Sequence, residues 1–334
     1  MDAIKRSILV LLPAFLAGCS DLIVTEPEEH SNVADFESAW QVVRSVYPFF
    51  QFKHINWDSV HAVYRPRAEA AMGDEIDAVL LEMLKELKDG HVRLQTRGGA
   101  SVATYTPPRA DKDRYAYSPL VVRRYFDREL RLAGDQRIEY ETLGDNIGYV
   151  YVATLRKEEP VAGGFDEALS YLRETKGLII DVRHNGGGSD DNSLAIITRL
   201  LSSPIDILPA PAPGGGLNRG PVIYPSAPFQ YTKPVALLID GVCFSSCEDF
   251  AEMMKHVPTV TAIGDTTGGG SGAPQLFSLP SGRQINVSTK DIRRYDGLPI
   301  EWNGVPPDIL IPQSAEDTRQ GRDKQLEFAL EFLR

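Results

Sequence analysis

Ser245 and Ser246 stand where a continuous apolar run gives way to a helical pattern. Val235 to Ile239 suits a strand buried on both faces. After Glu248, the residues Phe250, Ala251, Met253, Met254 and Val257 fall at helical spacing. A hydroxyl at such a junction faces the free N–H groups of a helix's first turn, as a serine nucleophile with an oxyanion site requires. The same residues also read as a plain helix start, because Ser245-x-x-Glu248 is a capping box with no chemistry in it. Cys243 and Cys247 flank Ser245. Four positions apart across a turn, they could reach disulfide distance. The reduced pair, two small buried side chains, is the preferred expectation, because such short bridges are often strained.

A second candidate is Asp181-Val182-Arg183-His184-Asn185-Gly186-Gly187-Gly188, which follows another apolar run. Its glycines let backbone N–H groups converge on a ligand. The stretch lacks the Gly-Lys-Ser/Thr ending of a phosphate loop and has no GxGxxG spacing, so nucleotide binding is unsupported. Of the six histidines, no pair has metal-ligand spacing with a third ligand nearby, so no metal is expected. His91, after Lys88-Asp89-Gly90, and His184 in the glycine stretch are the two candidates for a base.

The elements that must position these groups follow from periodicity. Phe36, Trp40, Val43, Val46 and Tyr47 line one helix face up to Pro48; Asn56-Trp57-Asp58 opens a second helix through Tyr64. A third runs from Asp74 to Lys88-Asp89-Gly90, with Gly90 as a left-handed cap. His91 to Leu94 reads as a short strand, and 97–113 as loop. Leu120-Val121-Val122, Leu130-Arg131-Leu132 and Ile138-Glu139-Tyr140 read as a meander of strands. Strand 147–152, helix 165–173 and strand 177–182 predict a parallel crossover. A helix at 192–201, a Pro/Gly-rich excursion from 204 to 230, strands at 260–264 and 285–289, and a closing helix at 326–333 complete the chain.

The 334 residues, 43% hydrophobic, are enough for one large domain or two smaller ones. A net charge of −11 with no basic run makes nucleic acid an unexpected partner. At the amino terminus, Lys5 and Arg6 precede an apolar run from Ile8 to Gly18 that is too short to span a bilayer. Leu16-Ala17-Gly18-Cys19 resembles the bacterial lipoprotein signal box. That resemblance implies cleavage before Cys19, a lipid on its thiol, export to the cell envelope and membrane tethering.

Asp181-Val182-Arg183-x-Asn185-x-Gly187-Gly188, Ser245-x-x-Glu248 and Ile263-Gly264-Asp265-x-Thr267-x-Gly269-Gly270 occur in an order that resembles the carboxy-terminal-processing (tail-specific) serine protease family. Asp296-Gly297-Leu298-Pro299-Ile300-Glu301-Trp302 through Asp308 is similar to its closing motif. The glycine loop after Ser245 has no lysine for a Ser–Lys dyad, and Lys233, Lys255 and Lys290 lie outside the matched motif. The span from Gln95 to Asn146 is too short for a peptide-binding PDZ module. The chain therefore resembles the branch related to the tricorn core protease, in which Leu87-Lys88-Asp89-Gly90-His91 matches the histidine stretch.

The resemblance implies an α/β core of the ClpP/crotonase type with an N-terminal helical unit. Its expected divisions are a signal peptide 1–18, a linker 19–32, a helical unit 33–95 and a protease core 96–334. It implies Ser245 as nucleophile, His91 as base, Glu301 as supporting acid, and the N–H groups of Ser246 and Gly187 as oxyanion donors. No cofactor is expected, and the substrate is polypeptide. Two alternatives share this frame: an inactive ligand-binding module, and a non-peptidase acyl hydrolase.

Overall fold

The computed structural model describes residues 31–158, 161–206, 210–211, 217–218, 220, 222–227 and 229–334. The expected signal peptide, Cys19 and most of the linker lie outside the described residues, as do parts of the 204–230 excursion. Helix α1 (Asn32–Val46) is capped by Ser31, whose hydroxyl accepts the Ala34 N–H at 3.1 Å, and buries Phe36, Ala39, Trp40 and Val43. Helix α2 (Trp57–Ala70) continues past the expected end at Tyr64 and through Pro66. Buried Tyr64 and Ala68 hold the added turn against the core. Trp40 and Trp57 each donate their indole N–H to the other's backbone oxygen at 3.0 Å. Helix α3 (Ile76–Lys85) buries the predicted stripe of Ile76, Val79, Leu80, Met83 and Leu84.

Three expectations need correction beyond α3. The left-handed residue of that turn is Lys88 (φ 46°), not Gly90. The stretch read as loop holds a strand, Ser101–Ala103, and a short helix, Pro108–Asp113. Residues Pro119–Val122 are also helical rather than extended, because Pro119 at the first position presets φ for a helix.

Strands β1 (Arg93–Gln95) and β2 (Ser101–Ala103) join β9 (Gln275–Ser278) and β10 (Gln284–Val287) in an antiparallel sheet of order β9-β10-β1-β2. From this sheet Leu279, Ile285 and Val287 enter the core of the helical unit. The later hairpin therefore completes the unit that 33–95 was expected to form alone.

The main sheet has seven strands in the order β11-β8-β7-β6-β5-β4-β3. They are β3 (Arg131–Ala133), β4 (Ile138–Leu143), β5 (Ile147–Val152), β6 (Gly177–Asp181), β7 (Val235–Ile239), β8 (Val260–Gly264) and β11 (Ile309–Leu310). From β5 to β11 every pairing is parallel, and the expected crossover runs from β5 through α4 (Ala162–Leu172) to β6. One face packs against α4, α5 (Asp190–Ile197) and α6 (Ser246–Met254); the other takes Leu326, Ala329 and Leu333 from the region of α7 (Lys324–Phe332). Each fully buried Leu or Ile of these strands contributes about 1.5–3 kcal/mol. Buried Arg183 ties β6 to the start of α7: its guanidinium meets Asp181 at 2.6 Å and Asp323 at 2.8 Å. Among the described residues no helix is long and apolar enough to cross a membrane.

Candidate active site

Strand β7 ends at Ile239, and after a turn Ser245 opens α6. Its φ of 58° is a left-handed value that a serine adopts only where its surroundings over-determine it. The Ser245 N–H is held twice, by Gly270 O at 3.0 Å and by Glu248 Oε2 at 3.2 Å. The spacing of a capping box is present, but the Glu248 N–H donates to the Ser245 carbonyl at 2.7 Å, and the Ser245 hydroxyl makes no hydrogen bond among the described residues and is left to the cleft. Cys243 and Cys247, both fully buried, form a disulfide across this turn with a Cα separation of 5.6 Å. The preferred expectation of a reduced pair is thus overturned: the turn brings the two Cα atoms within bridging distance.

Glu248 organises what surrounds the turn. Fully buried, it accepts Thr267 Oγ1 at 2.6 Å, Gly270 N at 2.7 Å and Gly269 N at 2.8 Å. Burial pushes its carboxyl up to about 7 against those donors. The glycine loop has a second occupant, the Phe244 ring. A Cβ on Gly270 would sit 2.0 Å from that ring and one on Gly90 2.8 Å, so both positions must lack a side chain.

The Phe244 ring packs on His91 with centroids 4.7 Å apart. His91 is buried, and neither ring nitrogen has a hydrogen-bond partner among the described residues. Its backbone is fixed instead: the N–H donates to Asp89 Oδ1 at 2.8 Å and the carbonyl accepts Asn286 Nδ2 at 3.0 Å. Burial lowers its pKa; Asp89 pulls upward and Lys53 adds to the lowering, so the imidazole is neutral at neutral pH. The carboxylate beside the ring is Asp89, with Oδ1 3.9 Å from Nδ1.

Glu301 turns elsewhere. Its Oε1 accepts from Lys53 Nζ at 2.5 Å, and its Oε2 has no partner among the described residues. Burial and the neighbouring Asp89 push its carboxyl up, against the pull of Lys53. Lys53 is the functional candidate that sequence reasoning missed. It is a lone cation after Phe49-Phe50-Gln51-Phe52, and nothing local marks it.

Ser245, His91, Ser246 and Gly187 line one cleft of about 580 Å³. Ser246 N–H has no acceptor among the described residues. Gly187 N–H, expected as the second oxyanion donor, is already engaged by Asn185 Oδ1 at 2.8 Å. Asn185 side chains bond their own backbone two residues on, as asparagine in turns commonly does. The rival base His184 does not line this cleft; its Nε2 lies 3.3 Å from Asp113 O and 3.4 Å from Asp240 Oδ2. Of the lysines, exposed Lys290 lines the cleft, whereas Lys233 and Lys255 bind carbonyls elsewhere. No group of three His, Cys, Asp or Glu among the described residues is placed to hold a metal ion.

Residues 146–311 match the model of peptidase family S41, and residues 31–85 match that of the tricorn protease C1 domain. Carboxy-terminal processing protease CtpB of Bacillus subtilis is 23% identical over 244 residues, covering 72% of this chain and 48% of its own. Tricorn protease homolog 1 of Streptomyces coelicolor is 26% identical over 273 residues, covering 79% and 24%. The chain thus spans about half the length of one of these curated relatives and a quarter of the other. A provisionally named peptidase from Parabacteroides merdae, solved as a crystal structure, is 30% identical; it superposes over 91% of this chain and 96% of its own with a TM-score of 0.79.

Proposed function

Since the chain belongs to peptidase family S41, we propose that it is a serine endopeptidase acting on polypeptide through Ser245, His91 and Glu301. The observation that carries this reading is the pairing of an uncapped Ser245 hydroxyl with the neutral, unbonded imidazole of His91 in one cleft. Serine is too weakly acidic to attack a carbonyl unaided and needs a positioned base. His91 takes the Ser245 proton as Oγ adds to the scissile carbonyl, then returns it to the leaving amine. The Ser246 N–H receives the developing oxyanion, and Gly187 N–H joins it once substrate displaces Asn185 Oδ1. One such donor is worth roughly 3–4 kcal/mol in comparable sites. Asp89 and Glu301 supply the negative charge that stabilises the imidazolium.

The same proposal includes export and lipid anchoring through Cys19, supported by the short apolar run that precedes Leu16-Ala17-Gly18-Cys19. Mass spectrometry of the mature protein tests this part: an intact Met1 or an unmodified Cys19 refutes it. The catalytic part is tested with a fluorophosphonate probe, which should label Ser245 in the wild type and fail on His91→Ala. Absence of labelling favours an inactive binding module. Labelling with turnover of esters but not of proteins favours a different acyl hydrolase.

A further inference from the structure

His91 owes its orientation to nothing that its own ring bonds. Both ring nitrogens lack partners among the described residues, and apart from the Phe244 contact the imidazole is set by its own backbone, held by Asp89 and Asn286, and by the Leu87–Asp89 turn before it. That backbone is unusual, since Lys88 holds a left-handed φ of 46° without being glycine. Its conformation has a visible cause in the Lys53 ammonium. Four oxygens share the three N–H groups of Lys53 Nζ: Leu87 O at 3.0 Å, Lys88 O at 3.1 Å, Tyr47 Oη at 2.9 Å and Glu301 Oε1 at 2.5 Å. The Lys88 carbonyl is gripped a second time by Trp302 Nε1 at 3.0 Å, and the Trp302 ring lies 4.8 Å from Nζ. The Lys53 side chain is completely shielded from solvent. A buried ammonium is costly unless its partners satisfy it, and here three of the four partners lie on the turn before His91 or on Glu301.

We infer that Lys53 is a positioning residue for the base: one buried ammonium, brought by the helical unit, clamps the carbonyls of the turn that carries His91 and the carboxylate of Glu301. The inference rests on the Ser245–His91 reading above. Lys53 touches neither substrate nor the reacting atoms and acts through the backbone of 87–89.

The test uses the full chain and three variants, Lys53→Met, Glu301→Gln and Lys53→Met/Glu301→Gln. The double variant matters because removing only the lysine strands a buried carboxylate and can unfold the protein. Misplacing a reacting group by about 1 Å costs on the order of 10²-fold in rate. The double variant should therefore fall well below Glu301→Gln in kcat, by about 10- to 100-fold. Its KM should stay within about twofold, because the cleft-lining residues are unchanged.

The fall in kcat at unchanged KM is the readout of positioning, and the pH profile reports the Lys53 charge at His91. The charged groups facing His91 are Asp89 on its own turn, Lys53 from the helical unit and, behind it, Glu301 from the closing motif. Arg93, Arg156, Asp190, Asp249 and Lys290 line the cleft and remain in every variant. Deleting the ammonium removes a repulsion on imidazolium, so the acid limb of kcat/KM should move to higher pH relative to Glu301→Gln. A folded double variant matching Glu301→Gln in both kcat and acid limb overturns the inference. So does failure of both lysine variants to fold, which would make the role structural. If His91→Ala itself stays active, the parent reading has failed instead.

Discussion

The two halves of the site are built by opposite means. The half around Ser245, the proposed nucleophile, is local and fully tied down. Ser245, its disulfide, Glu248 and the glycine loop lie within 243–270, and the buried Glu248 carboxylate accepts four bonds from that segment. The half around His91, the proposed base, gathers residues 47–53, 87–91 and 301–302 from across the chain and leaves polar atoms without partners among the described residues: both His91 nitrogens, Asp89 Oδ2 and Glu301 Oε2. The difference separates two requirements of acyl transfer. A nucleophile and its oxyanion donors gain from rigidity before substrate arrives. A base must exchange partners during turnover, so its ring is held by its backbone and its nitrogens are kept free.

The largest expected effect tests whether the halves work as one unit. Ser245→Ala and His91→Ala should each lower kcat by on the order of 10⁴-fold or more, and the double variant should be scarcely worse than either. Steady-state kinetics on a protein substrate measures this; an active His91→Ala beside a dead Lys290→Ala would reverse the assignment of the base. Glu301→Gln should cost less, roughly 10–10²-fold, because the amide keeps the shape and only the charge is lost. A loss equal to that of His91→Ala would mean that the carboxylate works inside the unit rather than in support of it.

A third prediction sharpens the contrast in stability. Glu248 has a folded pKa of about 7 against an ordinary 4.5, so the native state binds the extra proton between those values. Its contribution is full below pH 4.5 and is lost as pH rises through about 7, on the order of 3 kcal/mol in all. Urea unfolding from pH 4.5 to 8 should reveal this slope, and Glu248→Gln should flatten it. An unchanged slope would show that four donors outweigh burial. The smallest effect concerns the disulfide. Replacing both Cys243 and Cys247 by Ser should remove about 2 kcal/mol at most, since the closed loop is short. Only a several-fold change in kcat is expected if Glu248 alone keeps the turn in place.

What could be read from the sequence follows the same division. The strand-to-helix junction at Ser245, the Glu248 spacing and both glycine stretches are local patterns, and the fold realises each. His91 was reachable through the Leu87–His91 motif, although its neighbours were not. Lys53 bonds residues 34 and 248 positions away, and no periodicity encodes such a meeting. Pro119 likewise outweighed the apolar triad after it, because a ring that fixes φ at a helix start acts more directly than β propensity. Strand β9, mostly exposed, carries no clean alternation and so gave no signal.

The pairing of β1 with β10 places the strand beside His91 against residues 284–286, and Ser245 N–H waits for Gly270. Emerging from the ribosome, the chain therefore carries its histidine and its serine long before either has a working environment. Glycine loop, hairpin and Glu301 all follow Ser245 in the chain. If Ser245 and His91 act as proposed, the order of translation itself withholds the site until the segment through Glu301 has been made.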